Sequence, residues 1–234
     1  MALDTTNFRD KDSKVPEYRE LYEQFPFIEA YSKHTDLRIK KDGPELAIGA
    51  KRDGAQDWDV HGQMQLNYLK NAGLKPEDTL LDIGCGTGRL ACQAVPYLDD
   101  GKYTGIDISV AAIANCFALA NTRDWYKKAP VFLVGDGTLE AVPPGNIYNY
   151  IMAHSVFTHL PPEIITRIFL DLAEIQFGQF IFTYKQAKNL TRSGLKQFQY
   201  DAAWFQRVAN SNGLKCCSDD FEWPAGQHTM RVWR

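Results

Sequence analysis

Residues 80–89 read Leu-Leu-Asp-Ile-Gly-Cys-Gly-Thr-Gly-Arg, an apolar run that ends in three glycines at alternate positions. Nothing else in the chain constrains its fold as tightly. Glycine accepts backbone dihedrals closed to other residues and, having no Cβ, lets the main chain come close to a ligand. A strand that ends in such a turn and leads into a helix is how α/β folds hold nucleotide-like cofactors. A cofactor of that kind is expected at Gly84, Gly86 and Gly88.

The spacing narrows the choice. A dinucleotide fingerprint reads G-x-G-x-x-G and seats a pyrophosphate on the helix N-terminus. Here the glycines run G-x-G-x-G, and Asp82 stands two residues before the first. A carboxylate in that place repels a pyrophosphate but can order the loop or face a cationic amine, which favours a ligand without phosphates. A second apolar run, from Tyr103, ends in Asp107, where a carboxylate at the strand tip can accept both hydroxyls of a ribose. The other reading of Asp107, a cap for the helix beginning near Val110, is better filled by Ser109. A third run, from Val131 to Val134, ends in Gly135-Asp136-Gly137. There Asp136 and a neighbouring N–H can read an adenine edge, or Asp136 can close a turn.

The series LDIGCGTGRL, GIDIS and VGDG resembles motifs I, post-I and II of the class I S-adenosylmethionine-dependent methyltransferases. The segment IMAHSVFTHL at 151–160 is similar to the fourth-strand region of bacterial members. The likeness runs through residues 60–234 and is specific for the superfamily, not for a substrate. It implies that Asp82, Gly84, Cys85, Gly86 and Gly88 surround the methionine part and ribose, that Asp107 binds the ribose hydroxyls and that Ile108 packs on the adenine. Asp136 and Gly137 would contact the adenine's polar edge, and His154 would contact the methionine moiety or face the acceptor. The implied cofactor is S-adenosyl-L-methionine, leaving S-adenosyl-L-homocysteine as product.

Strand-like and helix-like runs alternate, which argues for a doubly wound α/β fold. The family adds a mostly parallel seven-stranded sheet with an antiparallel last strand. Helices are expected from Val60 to Asn71, from the glycine loop to about Leu98 with a bend or an end at Pro96, from Val110 to Asn121, from Pro161-Pro162 through Ile175, and from about Asp201 to Ser211. Strands four and five are placed at 147–153 and 180–184, a loop or lid at 185–196, and the last two strands at 214–221 and 229–233. Residues 1–59 form an N-terminal helical extension, with Tyr18, Leu21, Tyr22 and Phe25 on one face of a helix over 16–25, and are read as a substrate cover or an outside or dimer-interface helix. Residues 60–234 form the methyltransferase domain.

At 234 residues and 44% hydrophobic the chain can bury one substantial core. A net charge of −3 with scattered basic residues argues against nucleic acid as a partner. The absence of an Asn-Pro-Pro-aromatic tetrad after strand four argues against base methylation. The apolar runs fall short of the roughly 18 residues a spanning helix needs, and the first residues lack the basic and apolar regions of a secretory signal. The five cysteines show no metal spacing. A cytoplasmic monomer or homodimer with reduced thiols is expected.

No metal site is expected, because Asp201, Asp219 and Asp220 make no convincing set and read as solvated loop charges. Candidate general bases are His154 and His159, with His61 weaker and His34 and His228 without context. The reading is methyl transfer to a small-molecule acceptor, with oxygen favoured slightly over nitrogen. Its alternatives are a noncatalytic S-adenosylmethionine-binding protein and, more weakly, a nicotinamide oxidoreductase.

Overall fold

The computed structural model describes residues 12–51, 54 and 57–234; the reading of the first residues as free of a secretory signal lies outside them. Among the described residues the sheet has seven strands in the order β3-β2-β1-β4-β5-β9-β8. They are β1 (Leu80–Ile83), β2 (Tyr103–Asp107), β3 (Val131–Val134), β4 (Ile147–Ala153), β5 (Gln176–Tyr184), β8 (Lys215–Trp223) and β9 (Gln227–Trp233). The first five run parallel, while β9 lies antiparallel to both β5 and β8. A separate antiparallel hairpin pairs β6 (Thr191–Ser193) with β7 (Gln197–Gln199).

Successive side chains of a strand point to opposite faces, and the core divides accordingly. Leu81, Ile151, Phe180 and Phe182 face a layer containing α7 (Pro162–Glu174) and α8 (Ala202–Ser211). Their neighbours Leu80, Met152 and Ile181 face α4 (Trp58–Asn71), α5 (Ala91–Tyr97) and α6 (Val110–Thr122). All four residues of β1 are buried, as a central parallel strand covered on both faces requires.

Local chemistry sets the helix boundaries. The Asp57 carboxylate accepts the N–H groups of Asp59 and Val60 at the start of α4. Ser109 caps α6, and Asp201 caps α8, so Asp201 serves its helix. Pro162 opens α7, where a missing N–H costs nothing. Pro96 falls in the last turn of α5, which ends one residue later.

The structure departs from expectation in several places. β5 begins at Gln176 directly after α7, so Ile175 is a helix cap rather than part of the helix. The span expected to be a loop or lid at 185–196 contains β6 and the turn of a hairpin. The N-terminal segment holds α1 (Pro16–Gln24), as read, but also a longer helix α2 (Phe27–Asp42) and a single turn α3 (Pro44–Ala47). Asp219 is no solvated loop charge, since its carboxylate accepts bonds from Tyr68 Oη and Arg231 Nε. No helix of the described residues is long and apolar enough to cross a membrane.

Phe157, in the loop after β4, is fully buried and touches the rings of Phe169, Phe180, Phe182 and Phe205. It joins that loop to β5 and to both helices, α7 and α8, that cover this face. Truncating it leaves a cavity that rigid neighbours cannot fill, so Phe157→Ala should lower the unfolding free energy by about 3–5 kcal/mol. Urea denaturation measures this, and a loss below about 1 kcal/mol would show that the cluster collapses onto the gap.

Candidate active site

The carboxyl ends of β1, β2, β3, β4 and β5 open into one cavity of about 350 Å³. Gly84, Gly86 and Gly88 all adopt positive φ, +67°, +56° and +95°, a conformation costly for residues with a Cβ; Gly84 and Gly86 line the cavity, whereas Gly88 lies behind it against Leu119 and Cys116. A Cβ on Gly84 would stand 2.4 Å from Val156 Cγ2, and one on Gly88 3.0 Å from Leu119 Cδ1. The turn is therefore closed to side chains by both dihedral and neighbour.

Asp107 holds this turn. One carboxylate oxygen accepts Gly86 N–H at 2.9 Å and the other Ser109 N–H at 2.8 Å. Burial nevertheless holds its pKa above the ordinary carboxylate value, against the lowering by these bonds. Asp107 and Ile108 both line the cavity, as do Gly135, Gly137 and Thr138 at the end of β3. Asp136 is not among the lining residues. Its carboxylate accepts Thr138 N–H and Oγ1–H in a tight turn, the second of the two readings given above. Cys85 packs inward, where a Cβ on Gly105 would meet its Sγ at 3.0 Å, and contact with Cys116 together with burial keeps its thiol protonated.

Another part of the lining is polar and buried. Burial pushes Asp82 up to about 7, although Tyr103 Oη donates to it at 2.7 Å and Arg89 lies near. Arg89 is itself buried and drawn down to about 10 by desolvation. His61 and Gln65, one turn apart on α4, face the same cavity. His61 Nε2 and His154 Nε2 are 3.3 Å apart, and His154 packs edge-on to Trp223 with ring centroids 4.4 Å apart. Burial and then Arg89 lower both imidazoles, His61 to about 4. Gln65 Oε1, Arg89 Nε and His154 Nδ1 are buried without hydrogen-bond partners. Such atoms carry a desolvation cost until something meets them.

The loop carrying His154 is locked from behind. Ser155, at φ +61°, donates its N–H to Thr183 Oγ1, which in turn donates to Gln227 Oε1, while Gln227 Nε2 donates to Ser155 Oγ.

The wall over the cavity comes from α2 and the β6–β7 hairpin. Ser32 Oγ donates to Ile108 O at 2.7 Å, the Asp36 carboxylate accepts Ser109 Oγ–H and Ala111 N–H at the start of α6, and Ile28 lies against the bare face of Gly137. Phe27 packs on Phe198, and Lys196 Nζ lies 4.7 Å above the Tyr31 ring. His159 Nδ1 is 3.0 Å from the Lys196 carbonyl oxygen, and burial with the charge of Lys196 brings its pKa down to about 3. His34, read as lacking context, is fully buried, stacked on Tyr18 and 3.2 Å from the Asp12 carboxylate.

His154 and His159 thus both line the cavity. The aromatics Trp125, Tyr126, Phe157 and Trp204 do not. Sequence reasoning passed over Gln65, Arg89, Tyr31, Lys185 and Lys196, and kept His61 as a weaker candidate base with a cap or surface role as its other reading. The signal for α4 was available, because His61, Gln65 and Leu69 fall four residues apart on one buried face. Among the described residues no three His, Cys, Asp or Glu side chains gather to hold a metal ion.

Residues 81–174 match a family profile described as a methyltransferase domain. Over 92 residues the chain is 28% identical to a probable methyltransferase, ltbC, of Aspergillus luteorubrus, a match that takes in 38% of this chain and 32% of that protein. The aligned part thus spans about a third of the length of that curated relative. The fold is similar to that of magnesium protoporphyrin IX methyltransferase (ChlM) from Synechocystis PCC 6803 with bound SAM, at a TM-score of 0.67 and 16% identity over 90% of this chain and 98% of that one. It is also similar to the DhpI–SAH complex, at a TM-score of 0.61 and 14% identity over 88% and 96%. The [4+2]-cyclase SpnF has a similar fold as well, at a TM-score of 0.66 and 16% identity over 82% and 76%, so the fold by itself does not fix the reaction.

The raised pKa of Asp82 has a sign that can be checked. Its folded pKa, about 7, lies above the unfolded value near 3.9, so the folded state holds the extra proton and this contribution to stability is lost as pH rises from about 4 to 7. Asp82→Asn keeps an acceptor for Tyr103 and cannot titrate. The difference in unfolding free energy between this variant and the wild type should therefore grow in the variant's favour across that window. A difference that stays flat from pH 4 to 8 in denaturant titrations would show that Asp82 has an ordinary pKa.

Proposed function

We propose that this chain, which has the fold of the class I S-adenosylmethionine-dependent methyltransferases and carries a methyltransferase domain over residues 81–174, methylates an oxygen of a small-molecule acceptor. The observation that carries the reading is the set of unmet polar atoms, Gln65 Oε1, Arg89 Nε and His154 Nδ1, around the buried Asp82. An amino-acid head group matches that set: its ammonium pairs with Asp82 and Gln65 Oε1, and its carboxylate with the Arg89 guanidinium. The bare glycine turn lets the main chain approach the nucleoside. The Asp107 oxygens each keep a lone pair for the ribose hydroxyls, and Ile108 with Gly137 offers flat contact to the base. The residues present fit the cofactor.

S-adenosylmethionine supplies, when bound, a methyl group already activated by a sulfonium. What the protein contributes is alignment of nucleophile, carbon and sulfur, which is worth on the order of 7–11 kcal/mol. His159 is suited to take the acceptor's proton. Its Nδ1 contacts the Lys196 carbonyl, which can only accept, so Nδ1 carries the hydrogen and Nε2 presents the lone pair. His154, paired with His61, is assigned to cofactor positioning, and the fixed tautomer of His159 is what favours a hydroxyl over an amine. The chain is read as acting in the cytoplasm.

Incubating the protein with methyl-labelled S-adenosylmethionine and a metabolite extract should yield a labelled methyl ether or ester. Labelled amines alone would overturn the oxygen assignment, and cofactor binding without any product would favour a noncatalytic binder. Against the hydroxyl acceptor so found, His159→Gln should lower kcat about 10²–10⁴-fold while leaving S-adenosylhomocysteine affinity near wild type. Asp107→Ala should weaken S-adenosylhomocysteine binding by about 1.5–3 kcal/mol in calorimetry; unchanged affinity would remove Asp107 from the ribose site.

A further inference from the structure

Helix α2 meets the proposed nucleoside seat along one of its faces. Ile28, Ser32 and Asp36 follow one another at helical spacing, which stacks them on that face. Ile28 lies against Gly137, Ser32 Oγ–H donates to Ile108 O at 2.7 Å, and one oxygen of the Asp36 carboxylate accepts Ser109 Oγ–H and Ala111 N–H. Ser109 joins the two sides. Its Oγ takes Ala112 N–H as the cap of α6 and gives its own hydrogen to Asp36, while its N–H goes to the Asp107 carboxylate at 2.8 Å. With the hydroxyl engaged as donor and as acceptor, the residue is held in one arrangement, and the N–H that orients Asp107 is held with it. The Asp36 charge also reaches Asp107, acting on it in the same sense as burial. Because Ser109 already supplies the cap of α6, the acid brought over from α2 is not what starts that helix.

The same helix leads to the acceptor side. Tyr31 and Thr35 line the cavity, and the Tyr31 ring lies 5.9 Å from that of His159. Burial and then the Asp107 charge hold the Tyr31 hydroxyl protonated. From this placement we propose that Asp36, acting through Ser109, and Ser32, acting through the Ile108 carbonyl, are positioning residues for the cofactor, which aim Asp107 at the ribose and seat α2, with Tyr31, on the nucleoside loops. This rests on the methyltransferase reading and goes beyond it by naming the residues through which the wall and the seat are set together. Coupling of this kind is reciprocal: a filled seat steadies α2, and a seated α2 strengthens cofactor binding.

The test combines calorimetry with S-adenosylhomocysteine and amide hydrogen exchange along residues 27–42, both on the full chain. Asp36→Ala should weaken S-adenosylhomocysteine binding about tenfold, as for loss of a charge-assisted hydrogen bond. Asp36→Asn keeps an acceptor for Ser109 Oγ–H and Ala111 N–H and should bind within about threefold of the wild type. The loss should not add to that of Asp107→Ala, so the double variant should match Asp107→Ala to within about twofold. A carboxylate that served only the stability of α6 would leave the affinity of the folded protein unchanged. S-adenosylhomocysteine should also slow exchange over residues 27–42 in the wild type, and much less in Asp36→Ala. Ser32→Ala should weaken binding about fivefold, as for loss of a neutral hydrogen bond, and is the variant that decides if Asp36→Ala does not fold. The inference is overturned if Asp36→Ala binds as tightly as the wild type, if its loss adds in full to that of Asp107→Ala, or if exchange over residues 27–42 is the same with and without the ligand. A wild-type protein that does not bind S-adenosylhomocysteine at all would sink the methyltransferase reading itself, and this inference with it.

Discussion

The hydrogen bond from Gly86 N–H to the Asp107 carboxylate is the contact on which the cavity depends. It ties the turn after β1 to the tip of β2, and those two strands are adjacent in the sheet. Backbone bonds from Gly84 N–H and Cys85 N–H to Ile106 O hold the start of the turn, and the Asp107 bond fixes its middle. With it, the main chain is fixed at the height where β4 delivers Val156 against the bare face of Gly84. The second oxygen of Asp107 takes Ser109 N–H, so one side chain orders both the turn and the start of α6. A buried carboxylate doing this is expensive, and the same burial that raises its pKa is what strengthens each bond it makes.

Around that fixed turn the cavity separates two kinds of polar chemistry. Near Asp82 and Arg89 the charges are of both signs and several polar atoms are unmet, which suits a zwitterion. Near His159 the charged side chains that act on the imidazole first are the cations Lys196 and Lys185. All three cavity histidines are held neutral by burial, so they act as donors and acceptors rather than as fixed charges. They also give the fold a definite acid limit: imidazoles that are neutral when folded and protonated when unfolded lose stability as pH falls below about 6.5.

The sheet and the glycine turn were legible because their signals are local. Alternate glycines, an acid at the end of each of two apolar runs, Ser109 before an alanine-rich stretch and Pro162 at a helix start each state their geometry within a few residues. The resemblance built on them holds for the fold. The wall over the cavity was not legible in the same way. Helix α2 divides its contacts among α6, the β6–β7 hairpin and the cavity, so its apolar residues do not gather on one stripe. The hairpin strands are three residues each and mostly polar, and Phe198 N–H donates to the Thr158 carbonyl, a contact distant in sequence. Gln65 was hidden, and His61 ranked low, by a different cause: polar residues on a buried helix face look like surface until the cavity they face is known.

The wall segments line the cavity without adding a strand to the main sheet. Tyr31, Thr35, Lys196 and Gln197 sit on α2 and the hairpin, whereas Asp82, Gly86 and Asp107 sit on strands and the turn between them. Substitutions in the first group alter one side of the chamber and leave the packing of β1, β2 and β4 untouched. Replacements at those positions in α2 and the hairpin can therefore reshape one wall of the cavity, while the proposed cofactor seat on β1, β2 and their turn is inherited intact.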